Sequence, residues 1–153
     1  MSRPRIATIT PDNVEDVCGL HVKPHQNRYV APVVHSLALA YAYGEHAWPR
    51  IIVDDGEIVA FIMCGFKARD PFLHSTIWRL NVAADAQRCG YGKIAVRAAA
   101  REAQRRGRAT LFTSYVKGKG SPEGFYLKLG FEPTGRTLGE IYEAAAPVAE
   151  LLA

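Results

Sequence analysis

The stretch from residue 85 to residue 107, DAQRCGYGKIAVRAAAREAQRRG, does most to restrict what this chain can fold into. Ile94, Ala95, Ala98, Ala99 and Ala103 share one face at helical spacing, with Arg97, Arg101 and Arg105 on the other, so an amphipathic helix spans about 90–106 and Gly107 ends it. The arginine stripe is most simply a solvated face. The β-branched and aromatic run HSTIWRLNVAA just before it reads as a strand. The helix start is unusual. Arg88 and Lys93 flank it, although the helix dipole there favours negative charge and a cation costs about a few tenths of a kcal/mol. A phosphate held by the backbone N–H groups of Cys89, Gly90, Tyr91, Gly92 and Lys93 would account for the pattern. Gly90 and Gly92 would let the backbone approach, and Arg88 and Lys93 would add charge. From this window alone, an ordinary turn that needs two glycines fits as well.

Two nucleotide-binding readings fail. GYGKIA satisfies G-x-G-x-x-A, but TLFTSY, some twenty residues on, offers no acid for a ribose hydroxyl. A nucleotide-hydrolase phosphate loop fails because Ile94 follows Lys93 and the glycine spacing is wrong.

The remaining segments fill in the order. Thr10 is a candidate N-cap with Pro11 at the first helical position, giving a helix over about 11–20. Helical spacing in APVVHSLALAYAY predicts a second over about 32–44. RIIVDDGEIVAFIMCGF reads as two strands joined at Asp55 and Gly56. After the long helix come the strand ATLFTSYV, the short helix SPEGFYLKLG, and the strand starting FEPTGRT. GEIYEAAAPVAELLA supplies a last strand and a frayed tail. The fold class is therefore α/β, a mixed sheet covered by helices on both faces. At 153 residues with 48% hydrophobic content, residues 1–153 are expected to form one domain. The cysteines Cys18, Cys64 and Cys89 are odd in number and lack CxxC spacing, so neither a disulfide framework nor a metal site is expected. With no apolar leader, a cytoplasmic location is the expectation. No run approaches the roughly 18 apolar residues of a membrane span, so no membrane partner is expected.

Two motifs carry a family resemblance. QRCGYGK resembles the pyrophosphate loop of the GNAT superfamily of N-acetyltransferases, and it follows the strand WRLNVAADA. GFYLKLGFEPTG resembles that superfamily's second signature, an aromatic-Tyr pair leading a short helix into Leu-Gly-Phe. HQNRYVAPVVHSLALAY is similar to the opening of bacterial spermine, spermidine and diamine acetyltransferases. The resemblance implies a largely antiparallel sheet splayed between its fourth and fifth strands, with acetyl-CoA in the gap. Leu80, Asn81 and Val82 would face the pantetheine, and Gln87, Arg88, Cys89, Gly90, Tyr91, Gly92 and Lys93 the pyrophosphate. Tyr126 would be the general acid that protonates the departing thiolate. The reading of Tyr126 as a core residue that anchors its helix stays open beside it. A carboxylate or histidine would deprotonate the acceptor ammonium, and Glu45, Glu140, Asp70 and His74 are all candidates without a clear winner. The pattern departs from the family in KGKGSPEGFY, which lacks the usual asparagine before the tyrosine; Ser121 could substitute.

The resemblance thus implies an acetyl-CoA-dependent acyltransferase without a metal, acting on a small-molecule primary amine, a polyamine first. Aminoglycosides, amino acids and protein amines stand behind it, and a non-catalytic acetyl-CoA sensor is the alternative outside enzymes. A polyamine needs carboxylates to receive it, and the acids that stand out, Asp54, Asp55 and Glu57, sit at a hairpin tip where solvation is the simpler reading. Many family members dimerise, so a homodimer is compatible with the resemblance. The net charge of +4 and the arginine stripe raise nucleic acid as a partner, but no aromatics interleave with the arginines, and none is expected.

Overall fold

The computed structural model describes residues 3–153. Seven strands form one sheet in the order β1-β2-β3-β4-β5-β7-β6. The centre is a meander: β2 (Ala47–Asp54), β3 (Glu57–Gly65) and β4 (Thr76–Val82) pair antiparallel in turn. Asp55 and Gly56 join β2 to β3 with φ of 52° and 76°. Positive φ at both central positions matches a two-residue hairpin turn to the twist of its strands, the geometry an Asp-Gly pair favours. Every residue of β3 from Val59 to Gly65 is buried, so both faces of this strand are covered. Helices α1 (Val14–Cys18) and α2 (Val33–Tyr43) pack on β3 and β2, and α3 (Tyr91–Arg105) packs on β3, β4 and β5. The alanine face of α3 is what meets the sheet: Ala95, Ala99, Ala100 and Ala103 are fully buried in the core cluster that includes β3.

Beyond α3, β5 (Thr110–Val116) joins β4 in parallel. Helix α4 (Glu123–Lys128) follows, then the antiparallel pair β6 (Glu132–Leu138) and β7 (Ile141–Pro147), with β7 inserted between β5 and β6.

Four features differ from the sequence reading. An extra edge strand, β1 (Arg5–Ala7), pairs with β2 through Arg5 and Val53, Ile6 and Ile52, and Ala7 and Ile51. Three residues are too few for a periodic signal, and β2 supplies the ordering. The first helix is shorter than 11–20, because Asn13 Oδ1 accepts the Thr10 N–H at 2.8 Å and holds residues 10–13 as a turn. The end of the chain is not frayed: α5 (Val148–Leu152) buries Val148 and Leu151 against α3. Nor is the arginine stripe wholly solvated. The Arg97 guanidinium donates to the carbonyls of Leu151 and Leu152 at 3.2 and 3.4 Å, meeting C-terminal groups that α5 cannot satisfy itself.

Buried Glu102 organises the other end of α3. It accepts from Arg105 at 2.6 and 2.9 Å and from Arg106 at 2.7 Å. The Arg105 hydrogen bond leads in holding its carboxyl down at about 2, from an ordinary 4.5. A depressed carboxylate pKa stabilises the fold above the unfolded-state value, and that contribution is lost as pH falls from about 4.5 towards 2. Thermal unfolding of the native chain and of Glu102→Gln should differ clearly at pH 6 and converge towards pH 2.

Candidate functional site

The sheet comes apart where β4 meets β5. These strands pair only at Thr76 with Phe112 and Ile77 with Thr113, whereas β4 stays paired with β3 as far as Val82. The register between β3 and β4 slips between Met63 and Cys64, which leaves Trp78 as an extra residue in β4. Such a bulge bends its strand. A cleft of about 940 Å³ opens beyond it. Leu80, Val82, Gln87, Arg88, Gly90, Tyr91, Gly92, Lys93 and Tyr126 all line this cleft.

Asn81 and Cys89 lie elsewhere. Asn81 is buried, and its Nδ2 donates to the Ala31 carbonyl at 3.0 Å. Cys89 is exposed, with Sγ 3.5 Å from the Gln87 carbonyl.

The loop between β4 and α3 has the form of an anion cradle. Arg88 adopts φ 64° and Gly90 φ 85°, so two residues of the turn are left-handed. Gly90 is the N-cap of α3, and no side chain caps the helix. The N–H groups of the first turn, Tyr91, Gly92 and Lys93, therefore have no acceptor within the helix. Gln87 fixes this loop. Its Nε2 donates to the Val82 carbonyl at 3.0 Å and to Gln26 Oε1 at 2.6 Å, while Gln26 Nε2 returns a bond to Gln87 Oε1 at 3.0 Å. Gln26 lies in the 3-10 turn Pro24–Arg28.

Gly92 is required for packing. A Cβ there would lie 3.0 Å from Cζ of Phe125, so α3 and α4 approach as closely as they do only because the side chain is absent. The Tyr91 hydroxyl donates to Asp54 Oδ2, and this bond leads in pushing the phenol up to about 12. Asp54 is thus buried at the end of β2 and ties the helix start to the sheet, whereas Asp55 and Glu57 are exposed at the hairpin tip.

Tyr126 stands on α4, opposite β4 across the gap. Its ring packs against Phe125 at 5.1 Å, Phe131 at 5.4 Å and Tyr115 of β5 at 6.4 Å between centroids. Burial pushes its phenol up to about 12, so it stays protonated through neutral and alkaline pH. Ser121 lines the cleft too, but its hydroxyl is committed, donating to the Val116 carbonyl at 2.6 Å and accepting the Glu123 N–H at 3.1 Å.

None of the four candidate bases lines the cleft. Glu45 and Glu140 are exposed in turns. Asp70 Oδ1 accepts the N–H groups of Phe72 and Leu73, both at 2.8 Å, and those bonds lower its pKa. The His74 ring packs tilted against Phe112, 4.4 Å between centroids. Among the described residues, no aspartate, glutamate or histidine lines the cleft, whereas Arg28, Arg79, Arg88, Lys93 and Lys128 do. Arg28, Tyr29, Arg79 and Tyr115 are cleft residues that the sequence does not single out. Among the described residues there is also no cluster of metal-ligating side chains, and no helix is long and apolar enough to cross a membrane.

Comparison with known proteins bears on what this arrangement does. Residues 14–131 match the model of the acetyltransferase (GNAT) family. No curated protein matches by sequence. Among solved structures, the ribosomal-protein-S18-alanine N-acetyltransferase from Escherichia coli superposes with a TM-score of 0.69 at 19% identity, over 95% of this chain and 94% of that one. The PaiA N-acetyltransferase from Thermoplasma acidophilum, in complex with coenzyme A, gives 0.68 at 12% identity, over 95% and 99%. The N-acetylglutamate synthase from Neisseria gonorrhoeae, complexed with coenzyme A and N-acetyl-glutamate, gives 0.72 at 15% identity, over 95% of this chain and 35% of that one. The splayed seven-stranded sheet and the match over residues 14–131 together show that this chain belongs to the acetyltransferase (GNAT) family.

Proposed function

We propose that this acetyl-CoA-dependent N-acetyltransferase works in the cleft between β4 and β5, with the first turn of α3 as its phosphate seat and Tyr126 as its acid. One observation carries the reading: an uncapped helix N-terminus, flanked by Arg88 and Lys93, opens onto the cleft where β4 has lost its β5 partner. Uncommitted N–H groups and a positive helix end suit a pyrophosphate, and the unpaired edge of β4 suits the pantetheine amides. When bound, acetyl-CoA supplies a thioester that an unprotonated amine can attack, and a thiolate that needs a proton as it leaves. Leu80 and Val82 would position the pantetheine, and Gln87 would hold the loop in shape. Gly90 would provide the left-handed turn, and Tyr126 would hold the proton for the sulfur. Asn81 and Cys89 would act at a remove, through the strand and through the backbone of the loop.

The acceptor is a primary amine. The N-terminal resemblance favours a polyamine such as spermine or spermidine, but the absence of a carboxylate among the described cleft residues weighs against it, since a polycation would meet only like charge. The neighbours do not choose between acceptors, because the E. coli protein is an alanine N-acetyltransferase of a ribosomal protein and the N. gonorrhoeae one an N-acetylglutamate synthase.

Coenzyme-A release, followed with a thiol reagent over polyamines, aminoglycosides, amino acids and lysine peptides, is the test. We expect turnover with at least one amine, and kcat/KM that rises with pH along that amine's own ionisation, because no cleft side chain is placed to take the ammonium proton. Acetyl-CoA bound with no amine turned over would favour a sensor. A rate that levels near pH 6–7 whichever amine is used would reveal a side-chain base.

A further inference from the structure

Arg79 is a cleft-lining cation with no carboxylate to balance it among the described residues. Arg106, by contrast, pairs with Glu102 at 2.7 Å and Arg136 with Glu143 at 3.4 Å, while the half-buried Arg50, Arg97 and Arg108 donate to carbonyls outside the cleft. Arg79 forms no ion pair among the described residues. Its Nη1 donates to the Trp78 carbonyl at 3.0 Å, while its Nε is shut off from water with no partner. Burial lowers its pKa, and no carboxylate opposes the shift. A guanidinium held this way costs the fold free energy that a bound anion would return.

Its position separates it from the phosphate seat. Arg79 pairs with Met63 and Asn81 with Phe61, so both side chains lie on the same face of β4. Asn81 is tied to the Ala31 carbonyl, which places that face beneath the segment bearing Arg28 and Tyr29. Residues 79 to 82 alone span roughly 10 Å of strand, and the loop to α3 lies beyond them. In the other direction Arg79 is two residues from Ile77, where β5 departs. Tyr126, stacked on Tyr115 of β5, lines the same cleft. Arg79 therefore shares the cleft with Tyr126 and stands away from the cradle of Gly90 to Lys93.

We infer that Arg79 binds the acceptor, and that the acceptor is a small amine carrying a carboxylate, seated on this guanidinium so that its amine is directed towards the gap. The inference rests on the acetyltransferase reading of the cleft. Nη1 is engaged with Trp78 and Nε is enclosed, which leaves Nη2 to donate a charge-assisted hydrogen bond to a carboxylate in the cleft. The exposed Arg28, its guanidinium 5.3 Å from the Tyr29 ring, adds like charge at the mouth and further disfavours a polycation.

The experiment is calorimetric titration of the chain saturated with coenzyme A, so that no turnover is needed. The probes are glycine, alanine and γ-aminobutyrate, each beside its carboxamide, together with phosphoethanolamine and spermidine. We expect at least one acid to bind tenfold or more tightly than its amide. Arg79→Met should remove that preference and leave coenzyme-A affinity unchanged, and Arg79→Lys should restore part of it. Acids and amides that bind alike, a preference unaffected by Arg79→Met, or tighter binding of spermidine or phosphoethanolamine would each overturn the inference. Failure of coenzyme A itself to bind would instead overturn the reading of the cleft.

Discussion

Tyr126→Phe should reduce kcat by about 10²–10⁴, the usual contribution of a positioned acid, and leave the affinity for acetyl-CoA within about a factor of two. The substitution removes one oxygen from a ring held among Phe125, Phe131 and Tyr115, so the packing that orients α4 survives. A phenol at about 12 is a weak acid beside a free thiol near 8.5, and proton transfer between the two would run uphill in water. The surroundings act on both partners. The same apolar burial pushes the neighbouring Cys64 thiol up, and a thiolate formed beside Tyr126 would be raised in the same sense, which narrows the gap. Single-turnover kinetics with saturating acetyl-CoA would check this. A purely structural tyrosine would lose thermal stability and keep its kcat.

Gly90→Val should raise the KM for acetyl-CoA tenfold or more, with much less effect from Gly90→Asn. No atom lies within 4 Å of where a Cβ would stand at Gly90, so space is not the constraint. The backbone is, because φ is 85° at the N-cap. A left-handed conformation costs an ordinary L-residue about 1–2 kcal/mol, more when β-branched, while Asn tolerates it. A valine would relax the turn and misalign the N–H groups of Tyr91, Gly92 and Lys93. Gly92→Ala should act on kcat in preference to KM, because its new methyl group, 3.0 Å from Phe125, pushes on the helix that carries Tyr126. Steady-state kinetics on the three variants separates the two glycines.

What could be read in advance followed the range of the forces involved. The Asp55-Gly56 hairpin and the apolar face of α3 are local, and both are present. The loop from Gln87 to Lys93 was legible because glycines and cations at a helix start conflict with local preference, and such conflicts gather where ligands bind. β1 and α5 were not legible, since β2 and α3 stabilise segments too short to order themselves. Asp54 was misplaced because its burial depends on Tyr91, 37 residues away. Arg79 had the same disadvantage: WRLNV marks it only as a strand residue, and the departure of β5 makes it part of a cleft.

That departure also divides the molecule. With two residue pairs joining β4 to β5, the sheet consists of a four-stranded and a three-stranded half that share few main-chain bonds. Past Ile77, every second amide of β4 points into the gap, so in native-state hydrogen exchange these amides should behave like those of an edge strand despite lying mid-sheet. A ligand that lies along β4 would act there as a missing strand. Its binding would be recorded as slowed exchange along this seam, and the two halves would then unfold as one unit.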